Sequence, residues 1–314
     1  MVRAFFITDV HASERCFRKF LNAAKVYGAD ALILGGDITG KVLVPIVERP
    51  DGSFSARVFG RDSTVKKEQV PQIRRDLQDA GQYSFITSPQ ELAEMEADRA
   101  RQDRVFNDAI LEVLRSWVAM GEERLKGTET RCYISPGNDD RLEVDSVLVD
   151  SGHIVNPENR VVDLGGGHEM ITLGYANPTP WRSPREVPEE KLGEMIEALA
   201  AKVDRPESAV YNLHVPPVNT EIDKAPAVSE EFGYVREGLG VKIIHAGSTA
   251  VRAAIEKHQP LMGLHGHIHE SKGFVKLGRT LCVNPGSEYA DGILRGCIVN
   301  LKGAEARDFL LTSG

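Results

Sequence analysis

No apolar run in this chain approaches the roughly 18 residues of a membrane-spanning helix, and its opening, MVRAFFITDVH, passes straight from apolar into charged residues. That opening lacks the long apolar stretch and small-residue cleavage site of a signal peptide, so it reads as a first strand. Cysteine is scarce: Cys16, Cys132, Cys282 and Cys297 lie far apart, with no CxxC pair. Their spacing excludes a disulfide framework and points to reduced thiols in a cytoplasm. Positive charge is the minority sign, with 38 Lys and Arg against 46 Asp and Glu and a net charge of -8. Such a chain is a poor candidate for tight binding along a nucleic-acid backbone. It can still hold a phosphate where metal ions supply the local positive charge. Internal repeats and low-complexity tracts are missing as well.

What is present is globular composition. Of 314 residues, 41% are hydrophobic and 27% charged, enough to bury a core without disulfide staples and unlike collagen, a coiled coil or a disordered chain. Apolar runs recur and stop at turn or polar residues. Ala4-Phe5-Phe6-Ile7 stops at Thr8-Asp9, and Ala31-Leu32-Ile33-Leu34 stops at Gly35-Gly36-Asp37. Cys132-Tyr133-Ile134 stops at Ser135-Pro136-Gly137-Asn138. Val210-Tyr211-Asn212-Leu213 stops at His214, and Leu261-Met262-Gly263-Leu264 at His265-Gly266-His267. Runs of this length bounded by turn residues fit strands buried on both faces.

A helix is predicted between the first two runs. Ser13 can cap it, Phe17, Phe20, Leu21 and Ala24 share one face, and Gly28 can close it. Strand, helix, strand then makes a right-handed βαβ unit. Further helices are predicted over 188–203 and 248–258. After His269 the pattern turns β-rich, with Gly and Pro between the runs, which predicts antiparallel pairing and a mixed sheet system. The stretch from about 40 to 130 reads as an insertion. It carries a hairpin signal, Pro50-Asp51-Gly52-Ser53, and a capping box, Ser88-Pro89-Gln90-Glu91, opening a helix that runs to about Leu125. The insertion leaves just after Asp37 and returns just before Asn138, so it should project beside the edge on which both lie.

Metal-ligand side chains close these strands: Asp9 and His11, Asp37, Asn138, His214, then His267 and His269. Singly, each has an everyday structural reading, as a turn, a cap or a polar strand end. Together they point to a site, because strands of a mostly parallel sheet present their C-terminal ends along one edge. The set is carboxylate, imidazole and carboxamide with no thiolate. That suits Mn, Fe or Zn with open positions for water and disfavours a closed structural zinc.

Order and spacing resemble the calcineurin-like metallophosphoesterases, whose pattern D-x-H, GD, GNH(D/E), H, GHxH stands here as Asp9-Val10-His11, Gly36-Asp37, Gly137-Asn138-Asp139-Asp140, His214 and Gly266-His267-Ile268-His269. The resemblance covers nearly the whole chain, 1–314, with 40–130 inserted. It implies an α/β fold of two stacked mixed sheets flanked by helices. It also implies two metal ions. Asp9, His11, Asp37 and His269 would hold the first, and Asp37, Asn138, His214 and His267 the second, with Asp37 shared. The implied activity is hydrolysis of a phosphate ester by attack of a metal-bridging hydroxide.

One position departs from the pattern. Asp139 stands where the family carries a histidine that contacts the phosphate or protonates the leaving group. A carboxylate beside two cations is ionised at neutral pH and a poor acid. His245, after the run Val241-Lys242-Ile243-Ile244, is the substitute proton donor the sequence offers. The departure favours diesters over monoesters, with small phosphate esters as substrates. A phosphomonoesterase or protein phosphatase, or a metal-bearing interaction scaffold with little turnover, are the alternatives. Trp181, in Asn177-Pro178-Thr179-Pro180-Trp181, either stacks on an aromatic group or packs its own loop.

Overall fold

The computed structural model describes residues 1–229 and 231–314. The chain opens β1 (Val2–Ile7), α1 (Glu14–Tyr27) and β2 (Ala31–Gly35), with β1 and β2 parallel and Ala4 opposite Ala31. The Ser13 hydroxyl accepts from Cys16 N, and Gly28 ends the helix at φ 60 with its N–H returned to Ala24 O. The excursion then supplies β3 (Val42–Glu48), β4 (Phe54–Val58), β5 (Arg61–Val65), α2 (Val70–Asp79), β6 (Gln82–Thr87), α3 (Pro89–Glu96) and α4 (Arg99–Leu125). The main body resumes with β7 (Arg131–Ser135), β8 (Ile154–Val155), β9 (Val161–Gly165), β10 (His168–Leu173), α5 (Glu189–Ala200) and β11 (Val210–Leu213). Next come β12 (Lys224–Pro226), β13 (Arg236–Glu237), β14 (Gly240–Val241), β15 (Ile243–His245) and α6 (Thr249–His258). The chain finishes with β16 (Met262–Leu264), β17 (Gly273–Leu277), β18 (Thr280–Asn284), β19 (Arg295–Lys302) and β20 (Glu305–Ser313).

Two mixed six-stranded sheets, ordered β20-β19-β1-β2-β7-β8 and β17-β18-β16-β11-β10-β9, carry the site. Their middles are parallel, and β19, β20, β17 and β9 add antiparallel edges. Successive side chains of a strand point to opposite faces, so a run that is apolar throughout is buried on both. Ala4, Phe6 and Ile33 of the first sheet meet Met170, Val210, Met262 and Val283 of the second in one buried core. On the outer face of the first sheet, Phe5, Ile7 and Leu32 pack under α1 and α4 through Phe17, Phe20 and Trp117. On the outer face of the second, Ile171 and Tyr211 pack under α5 and α6 through Leu192, Ile196 and Ile255. The result is a mixed α/β protein with two stacked sheets between helices.

Residues 40–130 are richer than the predicted hairpin plus one long helix. A four-stranded sheet, β5-β4-β3-β6, is completed by β6 pairing parallel to β3 with α2 as the crossover. Val44, Ile46, Phe54, Val70 and Leu77 give it a small core of its own. The Ser88–Glu91 capping box forms as read. The helix behind it stops at Glu96, however, and Asp98 starts α4 afresh: its backbone is extended at φ -121 and its carboxylate accepts from Arg101 N. An aspartate that can satisfy free N–H groups favours a cap over a helix interior, and the charged stretch around it has no apolar stripe to hold one straight rod. No helix among the described residues is long and apolar enough to cross a membrane. All four cysteines are buried and unpaired, and burial pushes their thiols up.

Candidate metal centre

The parallel strands β1, β2, β7, β11 and β16 all deliver their next residues to one edge of the stacked sheets. Asp9 and His11 follow β1, Asp37 follows β2, Asn138 follows β7, His214 follows β11, and His267 and His269 follow β16. The backbone there turns sharply: Asp9, His11, Asp37 and His267 have φ of 52, 39, 49 and 67. Non-glycine residues in the left-handed region are strained, and such strain gathers at functional sites. Two glycines permit the close approach. A Cβ on Gly36, itself at φ +121, would collide with the His214 ring, and one on Gly266 would collide with the Asp9 carboxylate.

One ligand atom each from Asp9, His11, Asp37 and His269 falls within 4.8 Å of the others. His269 Nε2 is 3.4 Å from Asp9 Oδ1, and His11 Nε2 is 3.7 Å from Asp37 Oδ2. His11 Nε2 and His269 Nε2 face each other at 3.1 Å. His214 adjoins the group, its Nε2 at 3.4 Å from Asp37 Oδ1 and 3.8 Å from Asp9 Oδ1. His267 Nδ1 lies 2.7 Å from Asn138 Oδ1. All seven residues singled out in the sequence therefore meet at one edge.

The donor chemistry fits a cation. His11 Nδ1 lies 3.1 Å from Thr39 O, and His214 Nδ1 lies 3.0 Å from Gly35 O. A carbonyl only accepts, so each Nδ1 donates, and in the neutral ring each Nε2 turns a lone pair to the cluster. Among the described residues, the buried Nε2 of His214 has no hydrogen-bond partner. Burial resists charge on the carboxylates, but their neighbours prevail. His269 holds Asp9 down at about 2, while His214 and His11 hold Asp37 well below the ordinary carboxyl range. In return, Asp37 and Asp9 lift His214 to about 10 against its burial. Burial keeps His11 low, at about 4. Two buried carboxylates thus draw positive charge to this edge, as a proton on His214 or as a cation that displaces it.

The surroundings brace these candidate ligands. Asp9 accepts from Thr8 Oγ1 at 2.7 Å and from His267 N at 3.1 Å, and Ser287 Oγ donates to its carbonyl at 2.6 Å. Asn284 donates to Gly266 O and Ile268 O, so the Asn284-Pro285-Gly286-Ser287 turn fastens the His267–His269 segment. Asp140, which the sequence presents only as the last residue of its motif, is a brace as well. That wholly buried carboxylate accepts from Ile38 N at 3.0 Å, Thr39 N at 2.8 Å and Gly137 N at 2.7 Å, tying the loop after β2 to the loop after β7.

Asp139 sits beside the cluster, and its N–H donates to Asp37 Oδ1 at 3.0 Å. Its carboxylate is engaged by Lys41 Nζ and by the Ser183 hydroxyl. Lys41, overlooked in the sequence because a lone lysine after Gly40 carries no pattern, places an ammonium at the site. Burial lowers its proton affinity, but Asp139 and Asp37 raise it further, so the charge stays. His245 ends β15, which pairs only with β12 among the described residues. Its Nδ1 is 2.7 Å from the buried carboxylate of Asp223, itself held by Asn219 N, Thr220 N and Gly247 N. His245 lines the same cavity, of about 620 Å³, as Asp37, Asn138, Asp139, His267 and His269.

No family model matches the chain. The uncharacterized protein MJ1162 of Methanocaldococcus jannaschii is 30% identical over 152 residues, 48% of this chain and 61% of that protein. The match thus spans about three fifths of the length of that curated relative. One solved crystal structure aligns over 99% of this chain and 98% of its own at 17% identity with a TM-score of 0.60. TT1561 of Thermus thermophilus aligns over 100% and 98% at 15% identity with a TM-score of 0.55. These two likenesses show a shared fold. The chain is a mixed α/β protein with an Asp/His cluster suited to a metal ion.

Proposed function

We propose that this protein is a dimetal phosphoesterase, with phosphodiesters favoured over monoesters. The observation that carries the reading is the convergence of Asp9, His11, Asp37 and His269, with the unpartnered Nε2 of His214 beside them, behind a cavity that Asp37 and His269 line. Asp9, His11, Asp37 and His269 would hold one ion, and Asp37, Asn138, His214 and His267 a second. Metal ions held there supply Lewis-acid polarisation of the phosphoryl group and make water more acidic.

The chain's own groups have separate tasks. Asp139 is a positioning residue: its carboxylate fixes Lys41, whose ammonium can meet a phosphoryl oxygen as a point charge. Hydrolysis joins a water oxygen to phosphorus and breaks the bond to the leaving oxygen, which then needs a proton. His245, on the same cavity, would give it as an imidazolium. Asp223 orients the ring through Nδ1 and leaves Nε2 for the substrate, the division of labour that a carboxylate–histidine pair supports. A single dyad set to one side suits an ester whose leaving group needs modest help, which is why a diester is favoured.

The test is turnover of bis(4-nitrophenyl) phosphate and 4-nitrophenyl phosphate by protein loaded with Mn, Fe or Zn. The diester should turn over faster, and chelation should abolish both activities. Faster monoester turnover would reverse the substrate preference. Full metal loading with neither ester hydrolysed would make the protein a metal-bearing scaffold.

A further inference from the structure

The cavity over the cluster has an aromatic rim that the chemistry above does not use. Trp181 and Phe232 stack there with ring centroids 5.1 Å apart and planes 12° from parallel. Yet Trp181 is 54% exposed and Phe232 59% exposed. The other tryptophan shows what a structural stack looks like: Trp117 lies on Phe17 at 4.1 Å and 4°, with 1% exposure, inside the core. The rim pair comes from two unconnected segments, one after β10 and one after β12, so local chain geometry does not explain it.

The tryptophan is held in place from below. Glu186 accepts from Thr179 N at 3.0 Å and from Ser183 N at 3.0 Å, and Thr179 Oγ1 accepts from Trp181 N at 3.2 Å. Pro178 and Pro180 stiffen the same turn. Ser183, two residues on, donates to Asp139. The aromatic loop is therefore mechanically joined to the polar floor.

We propose that Trp181 and Phe232 form a stacking subsite for a planar aromatic ring carried by the substrate, which makes the substrate class nucleoside or aryl phosphate esters. This rests on the phosphoesterase reading of the floor. The two rings cover each other on one face and stay more than half exposed, so an outer face beside the polar site is free for a flat partner, and base-on-aromatic stacking tolerates any π-face. A flexible acyl chain would call for a continuous aliphatic groove, whereas the larger apolar groups here are mostly rings and prolines, with Val228, Ile244 and Ile268 the branched exceptions.

Fluorescence reads the subsite directly. With two tryptophans in the chain, one of them buried, ligand-sensitive emission belongs to Trp181. Adenosine 5′-monophosphate and adenosine should quench it, and ribose 5-phosphate should not. Phenyl phosphate separates the two sources of the ring: quenching as strong as that by adenosine monophosphate means aryl recognition, and weaker quenching means a preference for the base. By calorimetry, Trp181→Ala should weaken adenosine monophosphate about 10-fold, with Trp181→Phe restoring most of the loss. In loaded enzyme, Trp181→Ala should raise KM for a 4-nitrophenyl diester about 10-fold relative to KM for a methyl diester.

Equal binding of ribose 5-phosphate and adenosine monophosphate, unaffected by Trp181→Ala, would overturn the subsite. So would decyl phosphate binding as tightly as adenosine monophosphate and losing as much on Trp181→Ala, which would make the rim a plain apolar wall. Quenching by adenosine without hydrolysis of any ester would keep the subsite and sink the phosphoesterase reading. Hydrolysis with KM for methyl and aryl diesters changed equally by Trp181→Ala would do the reverse.

Discussion

The floor and the rim of the cavity are built on opposite principles. The floor comes from the ends of parallel strands, and its groups are buried: Asp9, His11, Asp37 and His214 are each 2% exposed or less. Its backbone is strained and its side chains are braced from behind by Asp140, Ser287 and Asn284. The rim comes from loops and two-stranded ribbons outside both large sheets, and its apolar groups stand in water. Position in the floor is fixed by the fold itself, whereas the rim can change without disturbing it. Chemistry is expected to fail with floor substitutions and selectivity to shift with rim substitutions.

The largest effect that separates the two belongs to Asp37. Asp37→Ala removes the carboxylate that the two proposed ligand sets would share. It should weaken metal binding by more than about 100-fold, the upper range for losing a mere outer partner of a metal ligand, and abolish turnover; calorimetry and metal analysis check it. His245→Ala, on the rim side, should leave metal content unchanged. It should slow an alkyl ester by about 100-fold while sparing an activated aryl ester, since a positioned acid is worth about that much or more. Equal losses on both esters would move His245 from proton donation to positioning or support.

Asp140→Ala belongs to the floor's scaffold. Three buried N–H groups lose their acceptor, so about 3 kcal/mol of stability should go, read as a lower midpoint in urea with metal affinity falling alongside. Leu239 is the contrasting case. It stands fully in solvent at the turn between β13 and β14, so Leu239→Ser should change stability in the same titration by no more than about 0.5 kcal/mol.

The contrast also explains what the sequence makes legible. Strands buried on both faces announce themselves as apolar runs, and a ligand just past each run inherits a position from the sheet. That is why Asp9, His11, Asp37, Asn138, His214, His267 and His269 are readable before any coordinates. Asp140 is hidden because its partners, Ile38 and Thr39, lie about a hundred residues away and offer mainly backbone. Phe232 is hidden because a loop has no period to place a ring opposite Trp181. In the excursion, β5 reads Arg-Asp-Ser-Thr-Val, too polar to announce a strand. The helix spacing of Val70, Ile73 and Leu77 is there to be found beside it.

The central claim is that the strand ends form a two-ion centre around Asp37. Anomalous diffraction from crystals of Mn-loaded protein tests it most directly. The account requires two peaks, one among Asp9, His11, Asp37 and His269 and one among Asp37, Asn138, His214 and His267, both missing in Asp37→Ala. Peaks elsewhere on the chain, or none at this edge in protein soaked with excess metal, would contradict it.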